Sequence, residues 1–505
     1  MLKKTKALVF HTSAKSMWQS SVYLLLAGIV CVPFFDMQLA HTEPWAELAK
    51  MGQGVLHMSF AIEGLLNALF QTLAFALQSV FTSALLGFAL ALAWHWPGVR
   101  PLMTCLRSIH ELFWALILIQ VFGLSALTGV LALIIPYSAT FARVFAEILQ
   151  ETPKHSYYQL KGGHLSCFVY STLPRAWPRM ITYSRYRLEC ALRASVMLGF
   201  IGLPTLGFHL EGFLKLGHYA EVSAIVLLFI LLVLSLSWWT QRVFLSILFF
   251  TLVVFYPPLP AMGIASSQSL LLQFFQDIVP APIKMYGWQT FETESWLRLV
   301  DWFLPLFKTQ ILPGITYTLM LGQMALLLSA LLALFWFPMV CKNLITSLWL
   351  RRSGSFLLVV LRCLPEILLA FIALIFLGPS LLPGVLAIGM HNGALLAHLT
   401  GHYSNEFQLR SDCHTGISRY FYEVLPRVYA QFLSFALYRG EVILRETAVL
   451  GILGIPTLGF YIDSAFEEFR LDRAALLILA TVAINIVAEN LALVLRRRIK
   501  LGAGA

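Results

Sequence analysis

Along the chain, long apolar stretches alternate with short breaks that are polar, basic or rich in Gly and Pro. Two of the clearest, IVLLFILLVLSLSWW (225–239) and AALLILATVAINIVAENLALVL (474–495), are close to the roughly 20 apolar residues a helix needs to cross the hydrocarbon core. The pattern predicts spans near 18–37, 66–96, 103–122, 126–148, 186–206 and 220–240, then near 243–258, 311–340, 355–378, 383–400, 438–458 and 474–495. Six spans return each half to its starting side, so the halves run parallel. Parallel repeats imply a pseudo-two-fold axis along the membrane normal. The expected fold is an all-α polytopic membrane protein of about 12 transmembrane helices, built as two parallel six-helix repeats. The halves are 1–242 (core 66–240) and 243–505 (core 311–495). Segments 38–65 and 259–310, each after the first span of its half, are rich in Trp, Glu and Pro and are candidates for interfacial helices.

The halves are copies. LPRAWPRMITYSRYRLECALRASVMLGFIGLPTLGFHL begins at Leu173, and LPRVYAQFLSFALYRGEVILRETAVLGILGIPTLGFYI begins at Leu425. Of these 38 positions 16 are identical. Upstream, LRSIHELFWALI at Leu106 pairs with LRCLPEILLAFI at Leu361, and GLSALTGVLALI pairs with LGPSLLPGVLAI.

Composition agrees with the pattern. Of 505 residues 59% are hydrophobic and 12% charged, against about a quarter charged in soluble domains. The start, MLKKTKALVFHTSAKSMWQS, is basic and half polar, and the apolar run behind it reads as a first span rather than a cleavable signal. The net charge of +10 reflects topology, not nucleic-acid binding. Lys3, Lys4, Lys6, Lys15, Arg100, Arg107, Lys154, Lys161, Arg175, Arg179 and Arg242 fall on one side of the predicted spans. Lys342, Arg351, Arg352, Arg410, Arg419, Arg427 and the terminal RRRIK repeat this in the second half. Positive residues collect on the cytoplasmic side, which places both termini inside. The seven cysteines form no CxxC pair and the thirteen histidines no HExxH, so no metal site is expected.

Three features carry candidate function. The first is the charged set Arg187, Glu189 and Arg193, repeated as Arg439, Glu441 and Arg445. Glu followed by Arg at i,i+4 forms a favourable pair on one helix face. Each charge would cost about 2.5–3.5 kcal/mol at the bilayer centre, so the set is expected near the cytoplasmic interface or against protein. It is either a helix-stabilising pair or a brace to a cytoplasmic helix. The second is the repeated Gly/Pro heptad, with Gly199, Gly202, Pro204 and Gly207 matching Gly451, Gly454, Pro456 and Gly459. It is either a tightly packed helix end or a gate lining the pathway. The third is the polar, basic loop before each Leu-Pro-Arg, longer than a connector needs to be and read as a short exposed helix for a cytoplasmic partner.

The order LR-x-x-P-E, GVLA, a loop ending in Leu-Pro, then LYR-x-E-x-x-LR resembles the permease subunits of phosphonate-type ATP-binding cassette importers, with two permease halves fused in one chain. The resemblance covers roughly 66–240 and 311–495. It implies two cytoplasmic ATPase subunits, which bind ATP and Mg, an extracytoplasmic solute-binding protein, and a bacterial inner-membrane location. It also implies that the loops couple to the ATPases through Gln159, Leu160, Lys161, Gly162 and Gly163, and through Gln408, Leu409 and Arg410. The chain departs from the family at Ser411 and Asp412, where glycines are usual, at His110 in place of the proline kept as Pro365, and in its Pro-Thr-Leu-Gly tails.

Neither GxxxxGK[ST] nor a kinase-like loop occurs, so the chain is expected to be a transport subunit without enzymatic activity and without a cofactor of its own. The best cargo is a phosphonate or related phosphorus oxyanion; iron, thiamine and amino acids are the other importer cargoes. The rival class is an ion- or proton-coupled carrier, for which Glu111, Glu366, His391 and Glu489 are the candidate ionisable groups. Glu111 and Glu366 follow Arg107 and Arg362 by one helical turn and are expected near the surface.

Overall fold

The computed structural model describes residues 18–19, 21–34, 44–152, 163–240, 267–286, 293–378, 380–407, 409 and 416–503. All regular structure among them is helical. The main helices are α1 (Ser21–Cys31), α2 (Leu65–Leu92), α3 (Val99–Ser108), α4 (Glu111–Phe122), α5 (Ala126–Glu151), α6 (Leu173–Met197), α7 (Leu206–Leu216) and α8 (Tyr219–Trp239). They continue as α9 (Thr293–Leu306), α10 (Leu312–Trp336), α11 (Leu348–Cys363), α12 (Glu366–Leu377), α13 (Leu381–Ser404), α14 (Leu425–Glu446), α15 (Leu458–Glu467) and α16 (Leu471–Ala503). The expected interfacial segments carry helices as well, among them Pro44–Leu56 and Ser267–Ile278.

The chain forms two compact units, Leu48–Gln276 and Met1–Glu47 with Asp277–Ala505. Helix α1 therefore groups with the C-terminal half of the sequence. Gln323 Nε2 of α10 donates to the Leu24 carbonyl at 3.0 Å, and Ser21 Oγ lies 2.6 Å from the Tyr429 hydroxyl.

Each unit is organised by one close helix pair. In the first, α2 runs along α5 with Ala76, Ser79, Ser83 and Gly87 buried. In the second, α10 runs along α13 with Gly322, Ala325, Ser329 and Ala333 buried. Small residues three or four apart let backbones approach, and in a bilayer this packing supplies the attraction that hydrophobicity cannot. Phe75, Phe113, Phe141 and Leu192 fill the first core; Leu321, Ile388, Ile443 and Ile455 fill part of the second.

Four predicted spans need correction. Segments 103–122 and 355–378 are not straight helices, because α3 meets α4, and α11 meets α12, at 90°. The break falls at His110 and Pro365, which share one extended backbone conformation (φ −65°, ψ 146° and φ −59°, ψ 139°). His110 thus takes the shape of the proline it replaces, and its Nδ1 accepts from the Leu112 amide at 3.2 Å, capping α4. At 12 residues, α4 is about 18 Å long, well short of a 30 Å core. Span 186–206 begins earlier, since α6 runs on from the helical turns that start at His164. Leu-Pro-Arg therefore lies inside a continuous helical run and does not end a loop, and span 438–458 likewise begins earlier, at the turns before α14.

Among the described residues, six helices are long and apolar enough to cross a membrane, or up to nine if each bent pair is one span. The predicted span 243–258 lies outside the described residues. The longest candidate, Trp296–Met339, has 44 residues, about 66 Å of helix and roughly twice the hydrocarbon thickness.

Candidate functional site

The Gly/Pro heptad folds as a knuckle in both units. Helix α6 tightens into a 3-10 turn (Leu198–Ile201), Gly202 turns the chain at φ 93°, and α7 starts behind Thr205. The second copy repeats this with Val449–Leu453, Gly454 at φ 80° and Thr457 before α15. The limbs touch: a Cβ on Gly207 would run into the Val196 carbonyl, and one on Gly459 into the Ala448 carbonyl. Gly199 and Gly451 face the other limb in the same way. Each knuckle is pinned from outside by one hydroxyl. Thr72 Oγ1 of α2 accepts from the Leu206 amide at 2.9 Å, and Thr318 Oγ1 of α10 accepts from the Leu458 amide at 2.9 Å. Close packing within the knuckle thus accounts for the paired glycines. The two threonines carry no local signature, and they stand at unequal sequence distances from the two heptads, 134 and 140 residues.

The charged set occupies the C-terminal half of its helices. Arg187 and Arg439 are both 14 residues into their helices, about 21 Å from the first residue. Both contact the neighbouring span, and they do so differently. The Arg187 guanidinium lies over the Tyr137 ring of α5, 4.1 Å from its centroid. Arg439 is buried and donates from Nε to Asn392 Oδ1 of α13 at 2.7 Å; its Nη2 reaches the same oxygen and also Glu446 Oε1 at 3.5 Å. Asn392 Nδ2 donates to Glu446 Oε2 at 2.7 Å. Arg445 and Glu441 stand 3.6 Å apart at i,i+4. In the first copy Arg193 lies 3.8 Å from Cys190 Sγ, and Glu189 shares its helix.

Beside this network, His391 Nε2 stands 3.1 Å from Glu366 Oε1, with both side chains buried. Glu366 opens α12 directly after the 90° bend and is packed inside its unit rather than exposed. Glu489 is buried as well. Glu111 is half-buried, 3.7 Å from His110.

The cytoplasmic segments are partly described: Gln159, Leu160, Lys161, Gly162, Gln408 and Arg410 lie outside the described residues. Gly163 is exposed and precedes the helical turn His164–Cys167. Leu409 is half-buried against the core of its unit. Directly behind them, both copies build one sequence of elements. A short helical turn (His164–Cys167; Ile417–Arg419) runs into a π turn (Phe168–Thr172; Tyr420–Val424) and then into α6 or α14. The second copy is tied down by Tyr420, whose hydroxyl donates to the Leu334 carbonyl at 2.9 Å, and by Arg419, which donates to the Asn343 carbonyl at 3.2 Å. Arg179 at the base of α6 pairs with Glu151 at the end of α5, 2.7 Å away. Each segment holds out two large side chains at matching positions: Leu165 and Tyr170 are 76% and 79% exposed, Ile417 and Tyr422 77% and 84%. They are five residues apart, a spacing that a π turn draws toward one face more than an α turn does. These segments belong to the loops read from the sequence as exposed docking helices, but the residues named for coupling there, 159–163 and 408–410, lie just before them.

Comparison with known proteins adds a relationship. Alignment with the phosphate-import permease protein PhnE of Mycolicibacterium smegmatis runs over 419 residues at 23% identity, 79% of this chain and 77% of that one. The phosphite transport system permease protein PtxC of Stutzerimonas stutzeri is 32% identical over 137 residues, covering 26% of this chain and 50% of PtxC. No family model and no solved structure matches the chain. An alignment of 419 residues cannot fit within one half of 505, so the likeness extends into both copies. The chain is thus a relative of the phosphate-, phosphite- and phosphonate-import permeases, a multi-pass membrane protein of the permease kind rather than an enzyme.

Proposed function

We propose that the chain is the transmembrane permease of an ATP-binding cassette importer in a bacterial inner membrane, with both permease halves in one polypeptide and both termini cytoplasmic. Its cargo is a phosphonate or related phosphorus oxyanion, handed over by an extracytoplasmic binding protein. Two cytoplasmic ATPase subunits, with their ATP and Mg, supply the energy. The sequence repeat supports about 12 spans in two parallel six-helix repeats about a pseudo-two-fold axis. In this reading the two knuckles border the pathway.

The observation that carries the reading is the exposed segment built twice at the foot of α6 and α14, with Leu165 and Tyr170 matched by Ile417 and Tyr422. Exposed Leu, Ile and Tyr at the foot of a span are suited to a protein partner, since apolar and aromatic anchors dominate interface energy. Two such segments call for two partners of one kind. The relatives named as phosphate and phosphite permeases support the cargo class.

The test is purification of the tagged chain in mild detergent with quantitative mass spectrometry of what accompanies it. Two ATPase subunits per chain would support the reading, and the ligand of a co-purifying binding protein would name the cargo. A chain that purifies alone and stable would favour an ion-coupled carrier. The buried His391–Glu366 pair is the observation on that side, because intramembrane ionisable pairs are the usual proton-relay parts.

A further inference from the structure

We propose that the C-terminal unit carries a binding site for an anionic phospholipid, with an acyl chain in a cleft between α1, α10, α14 and α16 and the headgroup at Arg496. The cleft has a volume of about 540 Å³, within the 300–1,000 Å³ typical of small-molecule sites. Leu24, Leu319, Leu326, Leu444, Val487 and Leu491 make its walls, and Gly322 and Gly440 leave two of its helices without a side chain there.

The occupant follows from three observations. First, the cleft has almost nothing to offer a polar ligand. Its two long polar side chains are engaged: Gln323 donates to the Leu24 carbonyl at 3.0 Å, and Glu441 stands 3.6 Å from Arg445. Second, its rim is apolar and open. Tyr23, Leu319, Val487 and Leu491 all line the cleft and are 43–67% exposed. In a chain that crosses a bilayer, such a cleft opens to hydrocarbon, and leaving it empty would forfeit the dispersion contacts of its lining. An acyl chain is the occupant the bilayer supplies.

Third, one end of the cleft is cationic. Arg496 follows the lining residue Leu495, and its guanidinium lies 5.4 Å from the centre of the Tyr438 ring, next to the lining residue Leu437. Its Nε donates to the Ala492 carbonyl at 3.3 Å, and its Nη2 is buried with no hydrogen-bond partner. Basic pockets between helices on the cytoplasmic side attract anionic headgroups, each nearby cation adding about 1 kcal/mol. This charge selects an anionic lipid over a zwitterionic one.

The test uses the full chain in mild detergent with phosphatidylglycerol carrying a photoreactive diazirine near the end of an acyl chain. Adducts are expected to concentrate in 319–326, 437–444 and 483–495. Unlabelled phosphatidylglycerol should compete at a concentration about fivefold lower than phosphatidylcholine, the ratio that one surface cation supplies. Ala488→Trp, which fills the cleft, should abolish the adducts. R496Q should keep them but erase the preference between lipids. Labelling spread evenly over all apolar helices, or equal competition by the two lipids with the native chain, would overturn the proposal. Both readouts use the unaltered protein and stand even if a variant fails to fold.

Discussion

Arg439 of α14 and Asn392 of α13 are joined through one oxygen, which accepts from Nε at 2.7 Å and also from Nη2. The repeat places Arg187 at the corresponding point of α6, where it meets the face of Tyr137 instead. One inherited arginine has thus kept its task of joining two spans while its partner chemistry has diverged. A hydrogen bond to a charged group is worth about 1.5–3 kcal/mol, whereas a cation–π contact is worth about 0.5–2 kcal/mol. Asn392→Leu should therefore lower the unfolding temperature in detergent clearly more than Tyr137→Leu. Equal losses would show that the two arginines are held alike.

The knuckles make a sharper demand. Gly207→Ala and Gly459→Ala each set a methyl group against a carbonyl of the facing limb, Val196 or Ala448, where only backbone could yield. Both should reduce folded, membrane-inserted protein severely. Gly212→Ala, with open space around its Cβ position, should not. Size-exclusion profiles of the three variants decide the matter, and a normal profile for Gly207→Ala would refute the close-packed reading.

Thr72 and Thr318 offer a matched pair of smaller effects. Replacing either by Val keeps the shape and removes the acceptor of the Leu206 or Leu458 amide. A net hydrogen bond is worth about 1 kcal/mol, and more when a buried donor is stranded. Each variant should lose on the order of 1–3 kcal/mol, and because the sites lie in separate units the losses should add. Thermal unfolding of the single and double variants checks both points.

The exposed side chains should separate docking from stability. Leu165→Asp with Ile417→Asp alters residues that are about three-quarters exposed, so unfolding should shift little. Under the importer reading, ATPase co-purification and stimulated ATP hydrolysis should both fall steeply, because charge enters an apolar anchor. Retained co-purification would move the docking surface elsewhere.

A pH effect is expected at α15. Burial and then the nearby Glu467 charge raise the Asp463 carboxyl from the ordinary 3.8 to about 6. A folded value above the unfolded one means that the charged form opposes folding. Its contribution is most favourable below pH 3.8 and is lost as pH rises through about 6. Relative to Asp463→Asn, the native chain should therefore lose stability as pH rises between about 4 and 7. Parallel curves would place the carboxyl at its ordinary value.

Much of this protein was written in one dimension. The membrane class follows from apolar run length, because a bilayer leaves a chain few ways to satisfy its backbone. The duplication follows from 16 identities in 38 positions, and it pointed to the charged set and the knuckle before any geometry existed. What the sequence could not carry was direction. Hydropathy treats 103–122 and 355–378 as continuous, yet His110 and Pro365 turn the chain through 90°, since a single extended residue redirects a helix without interrupting the apolar run. After that turn Glu366 is buried beside His391, a partner that its spacing from Arg362 does not reveal. Likewise Arg439 meets Asn392 and Arg187 meets Tyr137 across 47 and 50 residues. Local pattern determines which residues form helices, but contacts between helices depend on bends and packing that only the tertiary structure decides.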